Sequence, residues 1–129
     1  MSDSYKPTGY STVSPYLVTR NAQKVIDFVC ATLGATPLRR YDNEDGTIMH
    51  AELNVGGSVV MLGDAGGTWQ PAPCHLHVYV PDVDATYELA LGSGGESVQE
   101  PKQNDGESDR RGGVKDPGGN TWWFASQID

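Results

Sequence analysis

The sequence predicts an α+β fold: two βαβββ modules in a pseudo-twofold arrangement, forming a curved, cleft-forming mixed sheet with helices on the outer face. Three observations carry this. First, the chain is written twice: "ELNVGGSVVML" (52–62) superposes on "VKDPGGNTWWF" (114–124), each a pair of glycines feeding an apolar strand. Second, "SPYLVTRNAQKVIDFVCATLGAT" (14–36) lies over "HLHVYVPDVDATYELALGSGGES" (75–97), and both run strand, Asn or Asp, helix, glycine. Third, each helix is followed by three strand-like segments, at about 36–42, 47–54 and 58–64, then at about 96–103, 110–116 and 120–127. A small sheet with one helix has two faces and one covering element, so the other face must meet something. Two such modules with their open faces turned together make a concave surface.

Each element has a local cause. Met1 to Tyr10 is polar and reads as a loose arm. Module 1 runs over about 11–64. Its first strand leads to Asn21, whose side chain is expected to cap the helix by accepting a first-turn N–H. Ala22, Val25, Ile26, Val29 and Leu33 follow at helical spacing, and Gly34 supplies a left-handed stop. The turn "NEDGT" (43–47) joins the next two strands. The segment 65–73 is a linker, and its Trp69 either covers a cleft edge or anchors the linker itself. Module 2 runs over about 74–127. Its helix starts near Asp82 or Asp84, buries Val83, Tyr87, Ala90 and Leu91, and stops at Gly92 to Gly95. "KQNDGESD" (102–109) reads as a polar loop. Residues 1–129 are read as a single domain, the length being typical of one.

Strand alternation assigns the faces. In "CHLHVYVP" (74–81) the aliphatic Leu76, Val78 and Val80 belong under the helix, so His75, His77 and Tyr79 share the open face. Their counterparts are Ser14, Tyr16 and Val18, with Leu17 in the core. Val60 and Leu62 pair with Trp122 and Phe124 as core, which sends Met61 and Trp123 to the open face. In "TIMHAELNV", Met49, Ala51 and Leu53 are expected in the core, with His50 and Glu52 in the cleft. The repeat is imperfect there, because Val114 falls opposite Glu52 and Lys115 opposite Leu53.

Bulk properties exclude some classes. A net charge of −8 and a pI of about 4.6 argue against nucleic acid or an anionic membrane as partner. No window approaches the roughly 18 apolar residues of a membrane span. Cys30 and Cys74 do not make a disulfide framework, and a reducing cytoplasm is expected. No nucleophile–base motif is legible, although His50 with Glu52, or His77 alone, has the chemistry for proton transfer.

The stretches "SPYLVTRNAQKVIDFV", "GTIMHAEL", "HVYVPDVDATYELAL" and "SDRRGGVKDPGGNTWWFAS" resemble the vicinal oxygen chelate superfamily of glyoxalase I, bleomycin-resistance proteins and extradiol dioxygenases, and within it a PhnB-like branch. The DP-x-G-N-x-W ending after D-R-x-x-G-V is the most specific of these motifs. The resemblance covers about residues 10–127 and implies the paired βαβββ fold and a homodimer. Metal-dependent members hold a divalent ion with four cleft-facing His or Glu side chains, one from the first and one from the last strand of each module. Those positions here are Ser14, Met61, His75 and Trp123, and only His75 suits such an ion.

The expectation is therefore a small-molecule-binding protein of the glyoxalase/bleomycin-resistance type, with no metal site and no cofactor. It would hold an aromatic or cationic organic ligand between the modules. The expected contacts are Tyr16, His50, Glu52, Met61, His75, His77, Tyr79, Arg110 and Trp123. Arg110 is included for bidentate pairing with a ligand anion, against a purely structural role tying a loop to the sheet. The alternative is a divalent-metal-dependent lyase, isomerase or dioxygenase using a displaced site of His50, Glu52, His75 and His77.

Overall fold

The computed structural model describes residues 4–128, so the first three residues of the expected arm, and Asp129, lie outside the described residues. Module 1 consists of β1 (Tyr16–Thr19), α1 (Ala22–Leu33), β2 (Thr36–Asp42), β3 (Ile48–Val55) and β4 (Ser58–Asp64). Module 2 repeats the order with β5 (His75–Tyr79), α2 (Val83–Gly92), β6 (Glu96–Lys102), β7 (Asp109–Lys115) and β8 (Thr121–Gln127). Each module makes its own mixed sheet, ordered β1-β4-β3-β2 and β5-β8-β7-β6. In each, the strand before the helix pairs in parallel with the last strand, and the other pairings are antiparallel.

The apolar rows close the core. Leu17, Val60, Leu62, Val114, Trp122 and Phe124 are buried, facing the helices. Phe28 of α1 packs beside Gly95, past the end of α2, and the two helices touch each other. A polar seam also ties the modules: Thr19 Oγ1 donates to the Gly118 carbonyl at 3.3 Å, Asn21 Nδ2 to that of Pro117 at 3.3 Å, and Asn120 Nδ2 to Thr19 Oγ1 at 3.4 Å.

The structure corrects three local expectations. Asn21 does not cap α1 with its side chain; it sits in the left-handed region at φ 55°. The cap comes from the far end of β4, where Asp64 Oδ1 accepts from Ala22 N at 3.0 Å while its Oδ2 accepts from Ile48 N at 2.8 Å. Met49 is not core but half exposed, because Asp42 pairs with Ile48 and Tyr41 with His50, leaving Met49 as the extra residue of a bulge. Ile48 takes the buried place. Finally, the polarity mismatch in the repeat disappears in register: Leu53 pairs with Val60 and Val114 with Trp122, so Leu53 and Val114 are equivalent core residues. The second turn, 116–120, is one residue longer than the first, 55–58, which shifts the β7 offset.

Candidate functional site

On module 1, the exposed side of the sheet carries a hydrogen-bonded chain. Glu52 is only 4% exposed. Its Oε2 lies 2.8 Å from His50 Nε2, and its Oε1 accepts from Tyr10 OH at 2.5 Å. His50 Nδ1 lies 3.1 Å from the Tyr16 hydroxyl. Burial opposes the charge on Glu52, but the hydrogen bonds from His50 and Tyr10 outweigh it and hold the carboxyl below its ordinary range. Tyr16 is pushed up, first by burial and then by the Glu52 charge. Trp69 leans on Tyr16 at a tilt of 36° with ring centroids 5.4 Å apart, and Tyr41 flanks His50 at 6.2 Å. Met61 lies beside Tyr16 and Glu52 in register. Tyr10 thus corrects the loose-arm expectation, because Glu52 and the overlying Arg39, 5.3 Å from its ring, hold it in place.

Module 2 presents a flatter surface. Trp123 pairs in register with Gly113, and a Cβ added at Gly113 would lie 2.6 Å from the indole. Glycine lets the ring lie flat over β7. At its other end the indole Nε1–H donates to His75 Nδ1 at 3.0 Å, with the two rings nearly parallel at 14°. An indole N–H only donates, so a neutral His75 carries its proton on Nε2. Arg111 Nε donates to His77 Nε2 at 3.2 Å, which by the same logic puts the proton of a neutral His77 on Nδ1. Tyr79 donates to Asp109 at 2.8 Å, and that bond to a carboxylate pushes its phenol up.

The structure thus brings Tyr16, His50, Glu52 and Met61 together on one sheet, and His75, His77, Tyr79 and Trp123 together on the other. Among the described residues, no hydrogen bond or ring contact joins the two sets within the chain. Arg110 faces the opposite way. It makes a bidentate pair with Asp84 of α2, at 2.9 and 2.7 Å, on the helix side. The arginine of the open face is Arg111, held by His77, Glu107 at 3.0 Å and Asp109 at 3.3 Å. Alternation counted back from Val114 places Arg110 under the helix and Arg111 outside, a signal that was present in the sequence. Tyr10 left no such signal, because nothing in an isolated polar segment says which strand it meets.

The family metal positions can be tested on donor chemistry. A hydroxyl (Ser14), a thioether (Met61), an imidazole (His75) and an indole (Trp123) do not fit a hard or borderline divalent ion. Nor, among the described residues, do three or more His, Cys, Asp or Glu side chains group in a way that could hold one.

What the modules share is a groove of about 670 Å³ along the free edge of β5, lined by Val55 and Val60 of module 1 with Leu76, Val78 and Trp122 of module 2. Paired βαβββ modules with an aromatic open face define a class of ligand-binding and enzyme scaffolds. The chain belongs to the Glyoxalase/Bleomycin resistance protein/Dioxygenase superfamily, whose model matches residues 11–124. An uncharacterised protein of Mycobacterium bovis is 35% identical over 127 residues, covering 90% of this chain and 83% of that protein. The structure of TioX from Micromonospora sp. ML1 superposes with a TM-score of 0.74 at 26% identity, covering 92% of this chain and 99% of that one. TnmS3, an antibiotic binding protein from Streptomyces sp. CB03234, shares the fold with a TM-score of 0.68 at 21% identity, over 92% and 100%. No helix of the described residues is long and apolar enough to cross a membrane.

Proposed function

We propose that this protein binds a planar aromatic or cationic organic molecule on the Trp123 face, without a metal, and acts by sequestering it. The observation that carries this is the indole itself: laid flat over Gly113 and held by His75, it is a ready stacking floor. Tyr79, His77 and Arg111 add polar contacts at its edge. An antibiotic is a fitting ligand class, given the printed description of TnmS3. The D-R-x-x-G-V and DP-x-G-N-x-W motifs support a place near the PhnB-like branch, and the two free cysteines support a reducing compartment.

The working form on this reading is a homodimer. Among the described residues of one chain the two open faces exchange no hydrogen bond, and β5 is an edge strand with the apolar groove beside it. A second copy laid along that edge would cover the groove and oppose the face of one module to that of another.

Calorimetric titration with planar aromatic cations and antibiotics tests the reading. Saturable binding is expected, weakened at least about tenfold by Trp123→Phe, since buried aromatic anchors dominate such sites. Binding that Trp123→Phe leaves untouched would overturn it. So would near-stoichiometric Ni, Zn, Fe or Mn in protein purified without chelator or affinity-tag metal and lost on His75→Ala, which would favour the metal-dependent alternative.

A further inference from the structure

The chain Glu52–His50–Tyr16 on module 1 is not used by binding at Trp123, and its geometry asks for a role of its own. Its two ends differ. Glu52 is buried, with one oxygen on His50 and the other on Tyr10. Tyr16 is half-buried and stands on the open face, between Trp69 and Met61. Gly63 leaves room beside the Tyr16 hydroxyl, which also lies 3.5 Å from the Met49 carbonyl: a Cβ at Gly63 would lie 3.2 Å from the Tyr16 oxygen and 2.6 Å from that carbonyl. The groups facing His50 are Tyr16 from β1, Tyr41 from β2 and Glu52 on its own strand; Met61 of β4 carries no charge. Tyr10 and Arg39 lie beyond Glu52.

With Glu52 ionised, its oxygen accepts from His50 Nε2–H, which leaves Nδ1 as an acceptor for the Tyr16 hydroxyl proton. We propose that Glu52, His50 and Tyr16 form a proton-accepting site for an acidic hydroxyl, a phenol or an enol, of a small organic ligand. The ligand proton passes to Tyr16 Oη as the proton of Tyr16 passes to His50 Nδ1. The ligand oxygen keeps the electron pair of its O–H bond. The products are a ligand phenolate or enolate and an imidazolium opposite the Glu52 carboxylate, with one proton moved and nothing oxidised. The carboxylate orients the imidazole and faces the charge that forms on it, as in other acid–imidazole–hydroxyl arrangements. This inference is independent of Trp123.

The probe is 3-nitrophenol, a weaker acid whose phenolate is the coloured form, added about one pH unit below its solution pKa and so above the ordinary imidazole range near pH 6.5. Wild-type protein is expected to generate the phenolate colour saturably. Tyr16→Phe and His50→Gln, checked for folding by thermal melting, should lose at least about tenfold of it, while Glu88→Gln, exposed on α2, should retain it. Nitrogen NMR of labelled wild-type protein gives a readout that needs no variant: His50 should start as the Nε2–H tautomer and gain a proton on Nδ1 when the probe binds. Binding without colour, no binding of the probe, colour kept in both Tyr16→Phe and His50→Gln, or an unchanged His50 would each overturn the relay. Binding of aromatic cations at Trp123 would survive any of these results, so the two readings fail separately.

Discussion

The same four register positions hold different chemistry on the two sheets. Tyr16, His50, Glu52 and Met61 of module 1 answer to His77, Arg111, Gly113 and Trp123 of module 2, with Tyr16 beside Met61 and Glu52 beside Met61 on one sheet, and His77 beside Trp123 and Gly113 beside Trp123 on the other. The pivotal exchange is Glu52 for Gly113. A carboxylate fills its place and gathers hydrogen bonds from both sides. A glycine leaves its place open, and the neighbouring indole lies down in it. One backbone thus gives a polar relay in one half and an aromatic floor in the other, and the choice is made by the size of a single β3 or β7 side chain.

The turns feeding the last strands show the same divergence, and breaking them should give the largest effect. Asp116 is 4% exposed and accepts from Gly118 N at 2.8 Å, Asn120 N at 3.0 Å and the core indole Trp122 Nε1 at 2.8 Å. In the first turn, where Val55 holds the place equivalent to Asp116, Asn54 accepts from Gly57 N at 2.9 Å on the surface. Asp116→Ala leaves several buried donors without a partner and should cost about 3 kcal/mol or more in urea unfolding, whereas Asn54→Ala should cost about 1 kcal/mol. Equal losses would mean that the two turns are energetically alike.

A smaller effect separates the two sheets by pH. Glu52 titrates lower in the folded chain than in the unfolded one, so its contribution is complete above the ordinary carboxylate pKa, near pH 4.3, and is lost as pH falls through the lower folded value. Wild-type stability should therefore fall more steeply than that of Glu52→Gln from about pH 4 downward, as followed by chemical denaturation across that range. Parallel curves would remove the charged form of Glu52 from the account. Module 2 has only Gly113 at this position and adds no such term.

Most of the fold was legible because it rests on periodicity. Helical spacing marked α1, and alternation sorted Val60 from Met61 and Trp122 from Trp123. Local rules failed where a distant group supplied the interaction. Asn21 looked like a cap, but Asp64, 42 positions beyond Ala22, holds the first turn. Met49 kept the right period until a bulge in the β2–β3 pairing displaced it. Arg110 was drawn toward the ligand by its motif, although alternation from Val114 pointed it at α2. The site was legible as two lists of residues but their relative placement was not, since the order of strands within a sheet does not say which surfaces of two sheets oppose each other.

The chain contains three tryptophans, and each reports a different environment. Trp69 leans on Tyr16, Trp122 donates to Asp116 in the core, and Trp123 lies on the open face against His75. A nitrogen–proton correlation spectrum of the three indole N–H groups, recorded while an aromatic cation is titrated in, tests the central claim directly. The Trp123 resonance should move and saturate while that of Trp122 stays fixed. A response confined to Trp69, or no response at Trp123 under saturating ligand, would contradict the assignment of the ligand floor to module 2.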